Sequence, residues 1–175
     1  MGKNKDLDYK IMVWMYKIQD YLSKPKNKLV DFDIKQGDTV VDYGCGPGRH
    51  VLMASEAVGE NGKVIAADIN PIAIKNVIKR INKNKLKNVI PIICEDGNIS
   101  ENIADVVYAL DMFHQIEDPT AFFEAIHKII KPSGFFYLED GHQPRTSTIL
   151  KIKQSELWEI EEEKEKYIKI KPMNK

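Results

Sequence analysis

Apolar segments of strand length alternate with segments of helix length along most of this chain. The apolar segments are continuous, as at residues 64–67, where no polar side chain interrupts the run. Strands that are apolar on both faces are typical of a parallel sheet covered by helices on both sides, and regular alternation with helices is the pattern of that architecture. The pattern predicts strands at residues 39–43, 62–68, 88–94, 105–110 and 134–139, and helices at 49–58, 71–81 and 119–130.

The two ends of the chain have different patterns. Residues 157–163 and 167–170 alternate apolar and charged side chains, which predicts an antiparallel hairpin that closes one edge of the sheet and brings the strand count to seven. Residues 9–22 carry apolar side chains at helical spacing, which predicts an amphipathic helix. We expect one domain over residues 1–175, with an N-terminal helical part at 1–32 that is a candidate lid and a core at 33–175.

Composition argues against several classes of protein. The 26 Lys and Arg residues balance 26 Asp and Glu residues, and only three of the basic residues are Arg, so we expect no nucleic-acid partner. Cys45 and Cys94 stand in no metal-binding or disulfide motif. No apolar run approaches the roughly 20 residues that span a bilayer, and the first ten residues lack the apolar segment of a secretory signal. We therefore expect a cytoplasmic protein with no membrane partner.

The most informative motif is a glycine-rich loop between a strand and a helix. Gly44, Gly46 and Gly48 follow the strand that contains Asp42, and Asp68 ends the next strand, 20 residues after Gly48. Glycines let a backbone approach a ligand closely, and the helix that follows offers unpaired N–H groups. A carboxylate at the end of the second strand is placed to accept hydrogen bonds from ribose hydroxyls. The motif therefore predicts a nucleoside-containing ligand.

Two details argue against a dinucleotide. Arg49 stands where the third glycine of the G-x-G-x-x-G fingerprint would be. The carboxylate of Asp42 repels a pyrophosphate but attracts an ammonium or sulfonium group. The ligand that the loop implies is cationic at one end and contains a ribose.

With these residues in view, the sequence resembles the class I S-adenosylmethionine-dependent methyltransferases, from about residue 32 to residue 172. The glycine loop resembles the first motif of the family, and Asp68-Ile69-Asn70 resembles its ribose-binding acidic motif. Residues 105–110 with the loop to His114, and residues 131–135, resemble its fourth strand and its turn into the fifth. The nearest type acts on small metabolites, including quinone precursors. The resemblance implies a Rossmann-like, seven-stranded, mostly parallel sheet with one reversed strand, helices on both faces and S-adenosyl-L-methionine as the cofactor.

The resemblance also implies site residues. The family places a carboxylate near the adenine amino group after its third strand, where this chain has Asp96 and Gly97. Ile69 is expected either at the adenine face or in the core. The residues expected to bind the cofactor are Asp42, Tyr43, Gly44, Cys45, Gly46, Gly48, Asp68, Ile69, Asp96, Gly97 and Leu110.

Methyl transfer from a sulfonium needs orientation more than covalent help, and a general base only when the acceptor must lose a proton. Among Asp111, His114, Glu139, Asp140 and His142, which follow the fourth and fifth strands, we take His114 as the candidate base. Relatives that hold magnesium resemble one another in an Asp after the fourth strand and an Asp-Asn pair after the fifth. Gly141 follows Asp140 here, so we predict no metal site.

The expected function is methyl transfer to a small-molecule acceptor. Relatives that methylate amines of DNA bases or glutamine amides share a proline pair after the fourth strand, whereas this chain reads Leu-Asp-Met-Phe-His at residues 110–114. Two alternatives stay open: a non-catalytic module that binds S-adenosylmethionine or S-adenosylhomocysteine, and an NAD-dependent oxidoreductase. The sequence does not identify the acceptor, the accepting atom or the oligomeric state.

Overall fold

The computed structural model describes residues 28–94 and 99–173, together with Ile11. The amphipathic helix predicted at residues 9–22 and the site residues Asp96 and Gly97 lie outside the described residues. The division into an N-terminal helical part and a core stays a prediction.

Seven strands form one sheet in the order β3-β2-β1-β4-β5-β7-β6. Strands β1 to β5 run parallel, and β7 is antiparallel to both β5 and β6, so β7 is the single reversed strand of the sheet. The predicted α/β sheet and its C-terminal hairpin are confirmed. The strands are β1 (Thr39–Tyr43), β2 (Lys63–Asp68), β3 (Val89–Ile93), β4 (Ala104–Ala109), β5 (Ile130–Leu138), β6 (Trp158–Glu163) and β7 (Ile168–Pro172).

Four α-helices cover the sheet: α1 (Val51–Val58), α2 (Pro71–Asn84), α3 (Pro119–Ile129) and α4 (Arg145–Gln154). Two of them begin with a side-chain cap followed by proline, whose missing N–H costs nothing in the first turn. Asn70 accepts from the Ile72 N–H before α2, and Asp118 accepts from the Ala121 N–H before α3. Short 3₁₀ turns lie at Lys28–Asp31 and Phe113–Gln115.

The core consists of two apolar layers, one on each face of the sheet. Helices α1 and α2 and the Lys28–Asp31 turn pack on one face, around Val64, Tyr108 and Tyr137. Helices α3 and α4 pack on the other, around Phe123 and Phe136. This arrangement confirms helices on both faces. In open α/β sheets of this kind, ligands bind at the carboxyl ends of the parallel strands.

Two elements differ from the predicted boundaries by three residues or more at one end, and the others differ by at most two. Helix α2 continues three residues beyond the predicted end and stops at Lys85, whose φ of +54° is left-handed. Strand β5 begins at Ile130 because Ile130 pairs with Ala104, and a register irregularity absorbs the residues before Phe135. No helix in the described part of the chain is long and apolar enough to cross a membrane.

Candidate active site

The glycine loop crosses the carboxyl end of β2. Gly44, Gly46 and Gly48 all have positive φ, at +77°, +52° and +75°. The N–H groups of Gly44 and Cys45 donate to the Ala67 carbonyl at 2.8 and 3.0 Å. The loop is therefore anchored to the strand that ends at Asp68.

Gly46 faces open space. A Cβ built on Gly46 would have no atom of the described residues within 4 Å, although its φ lies where side chains are strained. The Gly46 N–H donates to Oδ2 of Asp68 at 2.8 Å, and the Asn70 N–H donates to Oδ1 at 2.8 Å. Burial raises the pKa of the Asp68 carboxyl, and these two hydrogen bonds oppose the shift. The acidic residue and the open side of the loop thus meet at one edge of the sheet.

The other two glycines of the loop serve packing. A Cβ on Gly44 would lie 3.0 Å from the Met112 side chain, and one on Gly48 would lie 3.1 Å from the Val77 side chain on α2. The Arg80 guanidinium donates to the Pro47 carbonyl at 2.8 Å and ties α2 to the loop. Sequence reasoning missed Arg80, which belongs to no motif, and gave Met112 no role beyond its place in the loop to His114. The fold alone places both side chains against the glycine loop.

Asp42 is a buried carboxyl group close to the loop, with 3 % of its surface exposed. Its pKa is raised to about 7 as the net result of three causes: burial raises it most, the neighbouring Tyr108 hydroxyl lowers it, and the Asp68 charge raises it. Within the described residues, its Oδ2 atom is buried and has no hydrogen-bond partner. A buried, unpartnered carboxylate oxygen is unfavourable unless a cation or donor completes it.

These features fit the predicted cofactor. The unpartnered Oδ2 of Asp42 suits a cationic group, the open space at Gly46 admits a ligand against the backbone, and Asp68 stands at the same edge for a ribose. Each Asp68 oxygen has a second lone pair for a hydroxyl donor.

The remaining predicted cofactor residues are distributed between the core and the surface. Tyr43 packs edge-on against Phe122, with the ring centroids 5.7 Å apart, and Leu110 is buried. Burial raises the pKa of the Cys45 thiol, and the charges of Asp42 and Asp68 raise it further, so this cysteine is no nucleophile. Ile69 is 80 % exposed, so it is not part of the core and is accessible to a ligand.

A second group of side chains lies after β4 and β5. The His114 and His142 rings meet edge to face, with centroids 4.7 Å apart, and His142 Nε2 lies 4.0 Å from Oδ1 of Asp111. A Cβ on Gly141, whose φ is +67°, would collide with the His114 ring. Glycine at position 141 therefore sets where the His114 imidazole can lie, a role that the sequence did not indicate.

The other two acidic candidates of this edge are neutralised by ion pairs. Lys28 Nζ lies 2.6 Å from one oxygen of Glu139 and 2.8 Å from the other, and Arg145 Nε lies 2.7 Å from Asp140. Carboxylates held in this way are poor general bases. Among residues 28–94 and 99–173, no three His, Cys, Asp or Glu side chains are grouped so that they could hold a metal ion.

The sequence pattern of the Methyltransferase domain family matches residues 34–172, which is more than half of the chain. The chain belongs to this family. Membership confirms the predicted class, a methyltransferase, and S-adenosylmethionine as the cofactor of that class; it also favours this class over an oxidoreductase.

Curated relatives carry different acceptors in their names. A ribosomal RNA large subunit methyltransferase E of Methanosarcina mazei is 32% identical over 140 residues, which cover 69% of this chain and 50% of that protein. A demethylmenaquinone methyltransferase of Oceanobacillus iheyensis is 26% identical over 141 residues, 78% of this chain and 58% of that protein. The matches cover between 27% and 58% of the length of these curated relatives, so this chain corresponds to only part of each.

Solved structures support the fold. A SAM-dependent methyltransferase from Aquifex aeolicus superposes with a TM-score of 0.71 at 24% identity. The match covers 89% of this chain and 92% of that chain. A TehB-like SAM-dependent methyltransferase from Corynebacterium glutamicum superposes with a TM-score of 0.75 at 12% identity. The match covers 97% of this chain and 100% of that chain. At these identities the likeness establishes the architecture alone.

Proposed function

We propose that the protein transfers a methyl group from S-adenosylmethionine to a small-molecule acceptor. One observation carries the proposal: an open glycine backbone at Gly46 is hydrogen-bonded to Asp68 and lies close to the buried Oδ2 atom of Asp42, which has no hydrogen-bond partner among the described residues. This combination is suited to a ligand with a ribose and a positive charge. A cytoplasmic location stays a prediction from the sequence.

The proposed work of the chain is binding and orientation. Asp68 accepts ribose hydroxyls, the Gly46 backbone contacts the cofactor, and Asp42 balances positive charge. When bound, the cofactor supplies an electrophilic methyl group whose bond to sulfur breaks as the bond to the acceptor forms. Holding the acceptor in line with that bond supplies much of the rate. Where the acceptor loses a proton, His114 takes it.

We expect His114→Ala to lower kcat by about 10²- to 10⁴-fold on an acceptor that must be deprotonated, with unchanged cofactor affinity. The reason is that His114 lies in the loop after β4, whereas Gly46 and Asp68, which carry the proposed cofactor site, lie at the ends of β1 and β2. Steady-state kinetics and calorimetry measure the two quantities separately. His142→Ala is the matched variant, since His142 packs against the His114 ring but is 82 % exposed. A larger loss of kcat in His142→Ala would contradict the assignment of the base to His114.

We expect the affinity for S-adenosylmethionine to increase as the pH rises from 6 to 8. With a pKa of about 7, the ionised fraction of Asp42 rises from about one tenth to about nine tenths over this range, so affinity should rise by up to about tenfold. Only ionised Asp42 attracts the cationic ligand. Calorimetric titrations of wild type and Asp42→Asn measure the effect. The ligand and Asp68 titrate in both proteins, so a difference between the two pH dependences reports on Asp42. An equal pH dependence in both proteins would rule out Asp42 as its source.

A second candidate function is methyl transfer to RNA. It is favoured by the relatives whose names state ribosomal RNA as the substrate, five of which match this chain at 27% to 43% identity. We would incubate the purified protein and methyl-labelled S-adenosylmethionine with a metabolite extract and, in parallel, with total RNA. Label in small molecules alone supports the first function, label in RNA alone the second, and label in neither supports a non-catalytic binding module.

A further inference from the structure

Charge is segregated along the sheet although the chain is neutral overall. Residues 69–94 contain six basic side chains and no acidic one, whereas residues 156–166 contain six Glu and two Lys. The first segment forms α2 and β3 and the second forms β6, and these two strands are the opposite edges of the sheet. A net charge of zero therefore conceals one basic edge and one acidic edge.

The basic edge carries a continuous row of lysines. Lys75, Lys79 and Lys83 recur every four residues on the exposed face of α2, and Lys85 and Lys87 follow in the turn toward β3. We call these five residues the lysine stripe. A helix of 14 residues is about 21 Å long, so the stripe is longer than a single small anion.

No lysine of the stripe forms an ion pair with a carboxylate of the described residues. Scattered exposed lysines such as Lys128, Lys153 and Lys166 share this property, but in the stripe it extends over five neighbouring lysines. Five other lysines form ion pairs with Asp or Glu, namely Lys28, Lys131, Lys164, Lys169 and Lys171. Within residues 28–94 and 99–173, no carboxylate lies within ion-pair distance of the stripe. Its positive charge is therefore directed to solvent and is open to an anionic partner.

We propose that the lysine stripe binds the phosphate backbone of RNA. The proposal rests on the second candidate function, and it gives that function a docking surface. Lysines act as point charges toward phosphates, and the one arginine of α2, Arg80, is held by the Pro47 carbonyl. The stripe therefore positions a strand without reading its bases. Because α2 begins three residues after Asp68, the stripe leads to the edge of the sheet that holds the cofactor residues.

The same helix is poorly suited to a membrane surface. A helix that lies in a membrane interface needs an exposed apolar face. The apolar side chains Ala73, Ile74 and Val77 are buried against the sheet, and on the exposed side of α2 only Ile78, 41 % exposed, is a large apolar residue. Charge without an apolar face is the pattern for a polyanion in water.

The test is RNA binding by the full chain, measured by fluorescence anisotropy with a labelled 20-nucleotide single-stranded RNA of mixed sequence. The variant is Lys75→Gln, Lys79→Gln and Lys83→Gln together. The control is Lys128→Gln, Lys153→Gln and Lys166→Gln, three exposed lysines on α3, α4 and the hairpin that give the same change in net charge. Each lost phosphate contact removes about 0.7 from the slope of log K against log salt. We expect the stripe variant to lower that slope by about 2 and the affinity by about a hundredfold at 0.1 M salt, with little change in the control.

Equal losses of RNA affinity in both triple variants, or no loss of RNA affinity in the stripe variant, would overturn the proposal. Two other results would also overturn it. One is stripe-dependent binding to vesicles of anionic phospholipid that is tighter than binding to the RNA. The other is self-association through the stripe, seen as a lower mass in solution for the stripe variant than for wild type. Thermal unfolding and cofactor binding of the stripe variant should match wild type, which separates a lost surface from a lost fold. Binding requires no methyl transfer, so RNA that is bound but not methylated would refute the second candidate function and leave the docking surface standing.

Discussion

Gly46→Val should abolish binding of S-adenosylmethionine in a protein that still unfolds cooperatively. A valine at this position would project into space where no atom of residues 28–94 or 99–173 lies within 4 Å of its Cβ, and this is the space that we assign to the cofactor. The φ of +52° is unfavourable for a β-branched residue, which costs about 1–3 kcal/mol of stability. The measurement is the rise in melting temperature on adding the cofactor, which should be present in wild type and absent in the variant.

Gly37→Val provides the matched control for backbone strain. Gly37 also has positive φ, +92°, and open space at its Cβ, but it lies in the turn before β1, at the opposite end of that strand from the loop. This control should lose similar stability and keep the full cofactor-induced shift. A folded Gly46→Val protein that keeps the shift would show that the glycine loop is not the binding site.

Asp68→Ala should weaken cofactor binding by about tenfold to a hundredfold. A hydrogen bond to a charged group is worth about 1.5–3 kcal/mol, which converts to that range of affinity. The substitution also releases the Gly46 and Asn70 N–H groups, each of which now donates to Asp68 at 2.8 Å, so the loop loses an anchor. Isothermal titration calorimetry gives the dissociation constants directly.

Asp38→Ala is the comparison for Asp68→Ala. Asp38 also accepts a backbone hydrogen bond, from Lys35 N–H at 2.7 Å, but in the exposed turn before β1. It should leave the dissociation constant unchanged within twofold. If Asp68→Ala also stays within twofold of wild type, the ribose assignment is wrong.

Local sequence patterns were sufficient for the elements and for the glycine loop. Continuous apolar strands, capped helix starts and glycines at fixed spacing are set by residues a few positions apart, and such patterns are determined by backbone geometry. The alternating hairpin likewise predicted the reversed strand, because alternation marks strands with one exposed face.

Tertiary structure alone decided which of the candidate groups are available. Glu139 and Asp140 resembled bases in the sequence, but Lys28, 111 residues from Glu139, and Arg145 pair with them in the fold. Gly46 and Gly48 are equivalent in the motif, yet only Gly46 faces open space, because α2 packs against Gly48. Asp140 and Arg145 are five residues apart and meet at the start of α4. The Lys28–Glu139 pair and the packing of α2 on Gly48 join residues far apart in the chain, so they depend on the order in which the strands assemble. The same order separates the basic and acidic edges that the net charge conceals.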